Sequence, residues 1–158
     1  MTPRSTKSLQ TTLLRSVSRS FYLSIRLLPR QLREPVALAY LLARTTDTVA
    51  DTAQISTRVR METLKLLSDA IQGTASRDIV AELVAGFVPL QQNARERHLF
   101  ESLADCLAWL DRTEHTDRND IRALLEKITR GQILDLDRFD NPKEVRALGT
   151  AADLDEYT

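Results

Sequence analysis

A single cysteine, Cys106, leaves no internal disulfide possible, and a reducing compartment, the cytoplasm, is the expected setting. Glycine is scarce as well, at four in 158 residues. None of the four sits in a phosphate-cradling loop, so a Rossmann-type NADPH site is excluded. No 18-residue stretch is free of charge, and the N-terminal "MTPRSTKSLQTTLLRS" lacks an apolar signal core. A membrane-spanning helix is therefore not expected, while peripheral attachment to a membrane surface stays open. Net charge is zero, which removes the bulk attraction a nucleic-acid binder relies on. With aromatics at 5%, only five prolines, and Leu, Ala and Arg abundant, the composition favours helices.

What remains is one helical domain over residues 1–158, long enough to bury a core. Apolar periodicity predicts a first helix from about Ser8 to Leu28, with Leu13, Leu14, Val17, Phe21, Ile25 and Leu28 on one stripe. Pro29 ends it. A second helix runs from near Gln31 to Asp51, with Pro35 tolerated in its first turn. A third spans Ser56 to Gln72 and is closed by Gly73. A fourth, Arg77 to Leu90, is interrupted near Gly86 and Pro89. The fifth covers Asn93 to Arg112, and the sixth begins near Asp117 with Ile121, Leu124, Leu125, Ile128 and Phe139 inward. Thr150 and Asp153 form a capping pair for a further helix. The chain ends within it, so an incomplete domain is expected.

The stretch "PVALAYLLARTTDTVADT" on the second helix holds only three charges, Arg44, Asp47 and Asp51. Tyr40, Arg44, Asp47 and Asp51 fall within about 60° of arc, while apolar residues occupy the other directions. A buried carboxylate without a partner is costly, so this row must face something polar. One reading pairs Arg44 with one aspartate and leaves the other in solvent at the helix end. The other has the row lining a cavity, where Asp47 and Asp51 hold Mg²⁺ through single oxygens. On the sixth helix Gln132 and Asp135 project to the side of Leu125 and Ile128, toward the same cavity, while Asp137 points away. For Asp135 the alternative is a buried acid bonded to an arginine or a helix N-terminus.

Other chemistry-bearing residues have plainer roles. His98 and His115 lack a second ligand at helical spacing. Cys106 and Trp109 lie on apolar stripes as core residues. Asp78 and Glu82 share the acidic spacing but read as a solvated face.

The segment "SRSFYLSIRLLPRQLREPVALAYLLARTTDTVAD" resembles the N-terminal part of squalene and phytoene synthases. The match includes the S-x-S-F start (Ser18, Ser20, Phe21), the "LLP" break, Tyr40, Arg44 and the D-x-x-x-D of Asp47 and Asp51. "RGQILDL" looks like the family segment ending in Asp135, and "TAADLDEY" like its approach to a tyrosine, here Tyr157. The resemblance implies an all-α isoprenoid synthase fold around a central apolar cavity. It implies head-to-head joining of two prenyl diphosphates, typically farnesyl diphosphate, with Mg²⁺ on Asp47 and Asp51. Arg44, Ser18 and Ser20 would contact diphosphate; apart from the resemblance, Ser18 and Ser20 read as helix-bending hydroxyls. Phe21 and Tyr40 would line the prenyl pocket, with Gln132, Asp135 and Tyr157 across from them. NADPH would enter only if the product is squalene rather than dehydrosqualene or phytoene. The family's second aspartate motif lies beyond the tyrosine matched by Tyr157, so the chain is expected to be the N-terminal part of such an enzyme and inactive alone. The alternative is a non-catalytic helical subunit or prenyl-lipid-binding module.

Overall fold

The computed structural model describes residues 12–139. Among these, every regular element is helical. In chain order they are α1 (Leu14–Val17), α2 (Arg19–Leu27), α3 (Arg30–Asp51), α4 (Thr57–Gln72), α5 (Arg77–Phe87), a 3₁₀ turn (Val88–Leu90), α6 (Ala94–Glu101), α7 (Leu103–Arg112) and α8 (His115–Phe139). The expected capping pair Thr150 and Asp153 lies outside the described residues.

Side-chain oxygens mark most of the helix starts. The hydroxyls of Ser56 and Ser76 accept from Val59 N–H and Ile79 N–H, and Asn93 Oδ1 accepts from Arg95 N–H. Gly73 ends α4 with a left-handed φ of 82° that only glycine adopts cheaply.

Two helices expected to be continuous are each divided in two. The first breaks at Ser18, where the backbone is extended (φ −151°, ψ 108°) and the hydroxyl accepts from Phe21 N–H at 3.2 Å. A serine that can satisfy a free amide lets one helix stop and another start without losing the apolar stripe. The fifth breaks at Ser102, whose hydroxyl donates to His98 O at 2.8 Å. That back-bond bends a helix.

Smaller differences have similar causes. Pro35 falls in the second turn of α3, not the first. The amide it lacks would have bonded Gln31, which is exposed and has water as a substitute. α5 runs through Gly86, and the interruption comes only with the Pro89 turn. The last helix starts two residues earlier than expected, at His115, with Glu114 Oε2 accepting from Thr116 N–H.

α3 is the central element, packed on α4, α7 and α8, while α8 also lies along α4. Leu38, Leu41 and Leu42 of α3 are fully buried against Leu64, Leu67 and Ile71 of α4 and Leu99, Phe100 and Leu103 beyond. Phe87 and Phe100 stack with centroids 5.4 Å apart. Four buried threonines, three within α3 and Thr52 at its C-terminal cap, turn their hydroxyls onto carbonyls of that helix: Thr45 to Leu41 O, Thr46 to Ala43 O, Thr48 to Arg44 O and Thr52 to Thr48 O, at 2.6–2.9 Å. The hydroxyls of Thr45, Thr46 and Thr48 are thereby satisfied within the helix, while Thr52 Oγ1 also accepts from Gln91 Nε2 at 3.4 Å.

The inward face of α8 differs from the expected one. Ile121, Leu125, Thr129 and Leu136 are buried, while Leu124 and Phe139 are exposed. Contact with both α3 and α4 centres the buried arc on Leu125, Thr129 and Leu136, about 60° around the helix from the predicted centre.

Candidate active site

Three side chains of the α3 row are each tied to a different neighbouring element. Tyr40 stacks on Phe21 of α2, with ring centroids 3.8 Å apart and planes 18° from parallel. One turn on, Arg44 Nη2 lies 3.0 Å from Glu96 Oε1 of α6. Asp47 Oδ1 accepts from Gln132 Nε2 of α8 at 2.6 Å. Asp51, the last residue of α3, is exposed.

Asp47 is half-buried, and burial pushes its carboxyl above the ordinary range. The Gln132 hydrogen bond and the Arg44 charge act against that rise, while the like charge of Asp51 adds to it. An acid made uncomfortable by burial and by a neighbouring carboxylate is one whose negative form a cation would stabilise. Gln132 Oε1 is buried and has no hydrogen-bond partner among the described residues.

Asp51 opens onto a depression of about 190 Å³ lined in part by Thr48, Gln91, Asn93 and Glu96. Glu96 thus touches both the arginine and the hollow beside the second aspartate. Nothing in the local sequence marks it, because the contact closes over 52 residues.

The fold brings Phe21, Tyr40, Arg44, Asp47 and Gln132 together as partly buried groups. Ser18 is partly buried and caps α2, and Ser20 is exposed with its carbonyl accepting from Ser24 Oγ at 3.1 Å. Asp135, expected to face the core side, is exposed instead, because the buried arc of α8 is turned toward Thr129 and Leu136. Asp137 is exposed as expected. Tyr157 lies outside the described residues.

Residues set aside earlier occupy structural positions. His98 Nδ1 is 3.6 Å from Glu101 Oε2, and His115 Nδ1 is 3.3 Å from Asn119 Nδ2. Cys106 is buried, and burial, with a smaller push from Asp105, raises its thiol to about 12, so it is an unreactive core residue. Among the described residues no group of three or more His, Cys, Asp or Glu is placed to hold a metal ion alone. None of their helices is long and apolar enough to cross a membrane.

An all-helical bundle whose central helix carries a row of acidic, basic and aromatic groups is an isoprenoid-synthase type of architecture. The family model for squalene/phytoene synthase matches residues 14–158, and the chain belongs to that family. It is similar to the squalene synthase BSS of Botryococcus braunii, at 38% identity over 65 residues. That match covers 41% of this chain and only 14% of the relative. No solved structure matches.

Proposed function

We propose that the α3 row forms the first acidic half of a site that ionises prenyl diphosphates for head-to-head condensation, with farnesyl diphosphate as the substrate and Mg²⁺ as the cofactor. The supporting observation is Asp47: half-buried, held by Gln132, and one helical turn from a second carboxylate at the rim of a hollow.

The donors suit that ion. Mg²⁺ is commonly held by one or two carboxylates together with substrate phosphates and water, not by an all-protein cage. Asp47 and Asp51, at i and i+4 on one helix face, have Cβ atoms roughly 5–6 Å apart. When bound, the ion acts as a Lewis acid on the diphosphate oxygens.

The chain's own residues divide the remaining work. Breaking the allylic C–O bond sends its electron pair out with diphosphate and leaves an allylic cation. Gln132 fixes the orientation of the Asp47 carboxylate. Arg44 exchanges Glu96 for the departing anion and stabilises its growing charge. The stacked Phe21–Tyr40 pair offers aromatic faces to the cation and keeps water away from it. Condensation of two farnesyl units without reduction yields the C30 dehydrosqualene, and squalene needs NADPH as hydride donor; the C40 phytoene would require a C20 prenyl diphosphate in place of farnesyl diphosphate.

The test uses the chain extended through the second acidic motif that the family resemblance implies. With farnesyl diphosphate and Mg²⁺ it should release diphosphate, and Asp47→Ala should abolish the release while leaving the helical circular dichroism intact. Unchanged turnover in that variant overturns the assignment. Saturable prenyl diphosphate binding without turnover in the extended native chain supports a non-catalytic prenyl-binding module instead.

A further inference from the structure

The zero net charge of this chain conceals a segregation. The first 33 residues hold seven basic side chains and no acidic one, the first carboxylate being Glu34, so the remainder is correspondingly acidic. α2 lies within this basic segment, and its two sides differ sharply. Phe21, Ile25 and Leu28 face the core. Arg19, Leu23, Arg26 and Leu27 occupy an arc of about 100° on the other side. All four are exposed, Leu23 at 61% and Leu27 at 88%.

Arg15, Arg19 and Arg26 surround a shallow recess of about 180 Å³, completed by Tyr22 and Leu23. No carboxylate lines it. Among the described residues none of these three guanidinium groups has an ion-pair or hydrogen-bond partner. Arg44, Arg58 and Arg122 are paired with Glu96, Glu62 and Asp111. Arg30, Arg77, Arg95 and Arg112 are exposed like the three of this face, so what sets the face apart is the grouping of three arginines around one recess without an acid. Uncommitted arginines around two protruding leucines are an uncommon surface for a protein that meets only water. Guanidinium pairs bidentately with phosphate, and leucine gains by leaving water.

We propose that the outer face of α2 docks on an anionic phospholipid bilayer. Leu23 and Leu27 enter the boundary between headgroups and acyl chains, while Arg15, Arg19 and Arg26 bind lipid phosphates. Tyr22 sits at the interface with its ring on the protein side and its hydroxyl toward the headgroups. Charge complementarity selects this occupant: a recess ringed by three arginines and no acid repels a basic partner and attracts a surface of phosphates. The attachment is peripheral and independent of the proposed catalytic reading, because none of these side chains belongs to the α3 row.

Sedimentation with vesicles tests it, using the 158-residue chain and comparing phosphatidylcholine alone with phosphatidylcholine containing phosphatidylglycerol. Binding should require the anionic lipid and weaken with added salt. At about 1 kcal/mol for each basic residue near such a surface, the double variant Arg19→Gln, Arg26→Gln should bind roughly 25-fold more weakly. Leu27→Asn should weaken binding about tenfold. Arg19→Lys with Arg26→Lys should retain it, and Leu124→Asn, which removes an exposed leucine on α8, should leave it unchanged. Circular dichroism on each variant separates lost binding from lost folding, and the native chain's own lipid and salt dependence decides the matter if a variant unfolds. Equal binding to neutral vesicles, or no binding to either kind, overturns the proposal. So does dependence on the arginines with indifference to Leu27, which would mark a site for soluble phosphate. A dimer that Leu27→Asn dissociates, in a chain that ignores vesicles, would assign the face to a second copy.

Discussion

Burial pushes the carboxyl of Asp47 above its ordinary range, Gln132 and Arg44 pull it back, and Asp51 adds to the rise. Its ionised form is therefore disfavoured in the folded chain relative to the unfolded one. For an acid shifted in this sense, its contribution to stability is fully present below the unfolded-state pKa and is lost as pH rises through the elevated folded value. Asp47→Asn keeps an oxygen for Gln132 and removes the charge. We expect the variant to be more stable than the native chain at neutral pH, with the advantage shrinking as pH falls toward and below the ordinary aspartate value. Denaturant midpoints across an acid-to-neutral series measure this, and a difference that stays constant with pH would contradict it. Stability gained by deleting a carboxylate is the expected mark of a group kept for chemistry.

At the scale of elements, Ser18 separates two helices with one hydroxyl. Ser18→Ala leaves Phe21 N–H without that acceptor and should cost about 1 kcal/mol, read as a lowered denaturant midpoint. An unchanged midpoint would mean that water serves the amide equally well. Hydrophobic periodicity did not show the break, because it records the phase of a stripe and not its continuity; the hydroxyl of Ser18 was the legible sign, in its alternative reading as a helix-bending group. Leu13, Leu14, Val17, Phe21, Ile25 and Leu28 still pack against or within one core on both sides of Ser18. Ends marked by strong local chemistry, such as Ser56 and Gly73, were legible. So was the α3 row, since 3.6-residue spacing alone places Tyr40, Arg44 and Asp47 together. Glu96 was not, because it reaches Arg44 only through the tertiary fold. Asp135 was misplaced for a related reason: a 60° change in which arc is buried depends on how two other helices flank α8.

For the whole molecule, stability concentrates where α3 meets its neighbours. Leu41 is fully buried in that helix. Leu41→Ala should cost about 3 kcal/mol, the loss of transfer energy plus an unfilled cavity. Chemical denaturation would show it as a fall in midpoint with an unchanged slope. A loss below about 1 kcal/mol would show that the surrounding helices collapse into the space. Charge is organised on this scale too, with a basic first fifth and an acidic remainder. Such polarity orients a protein toward a charged surface before any contact forms.

The threonines of α3 carry a last consequence. A hydroxyl folded back onto a carbonyl of the preceding turn shows the rest of the molecule a methyl group, so Thr45, Thr46 and Thr48 meet their surroundings much as valines would. The wall that the helix presents to its interior is close to hydrocarbon, although a hydropathy profile scores those positions as polar. An apolar packing face can be hidden in this way at positions that the sequence writes as polar.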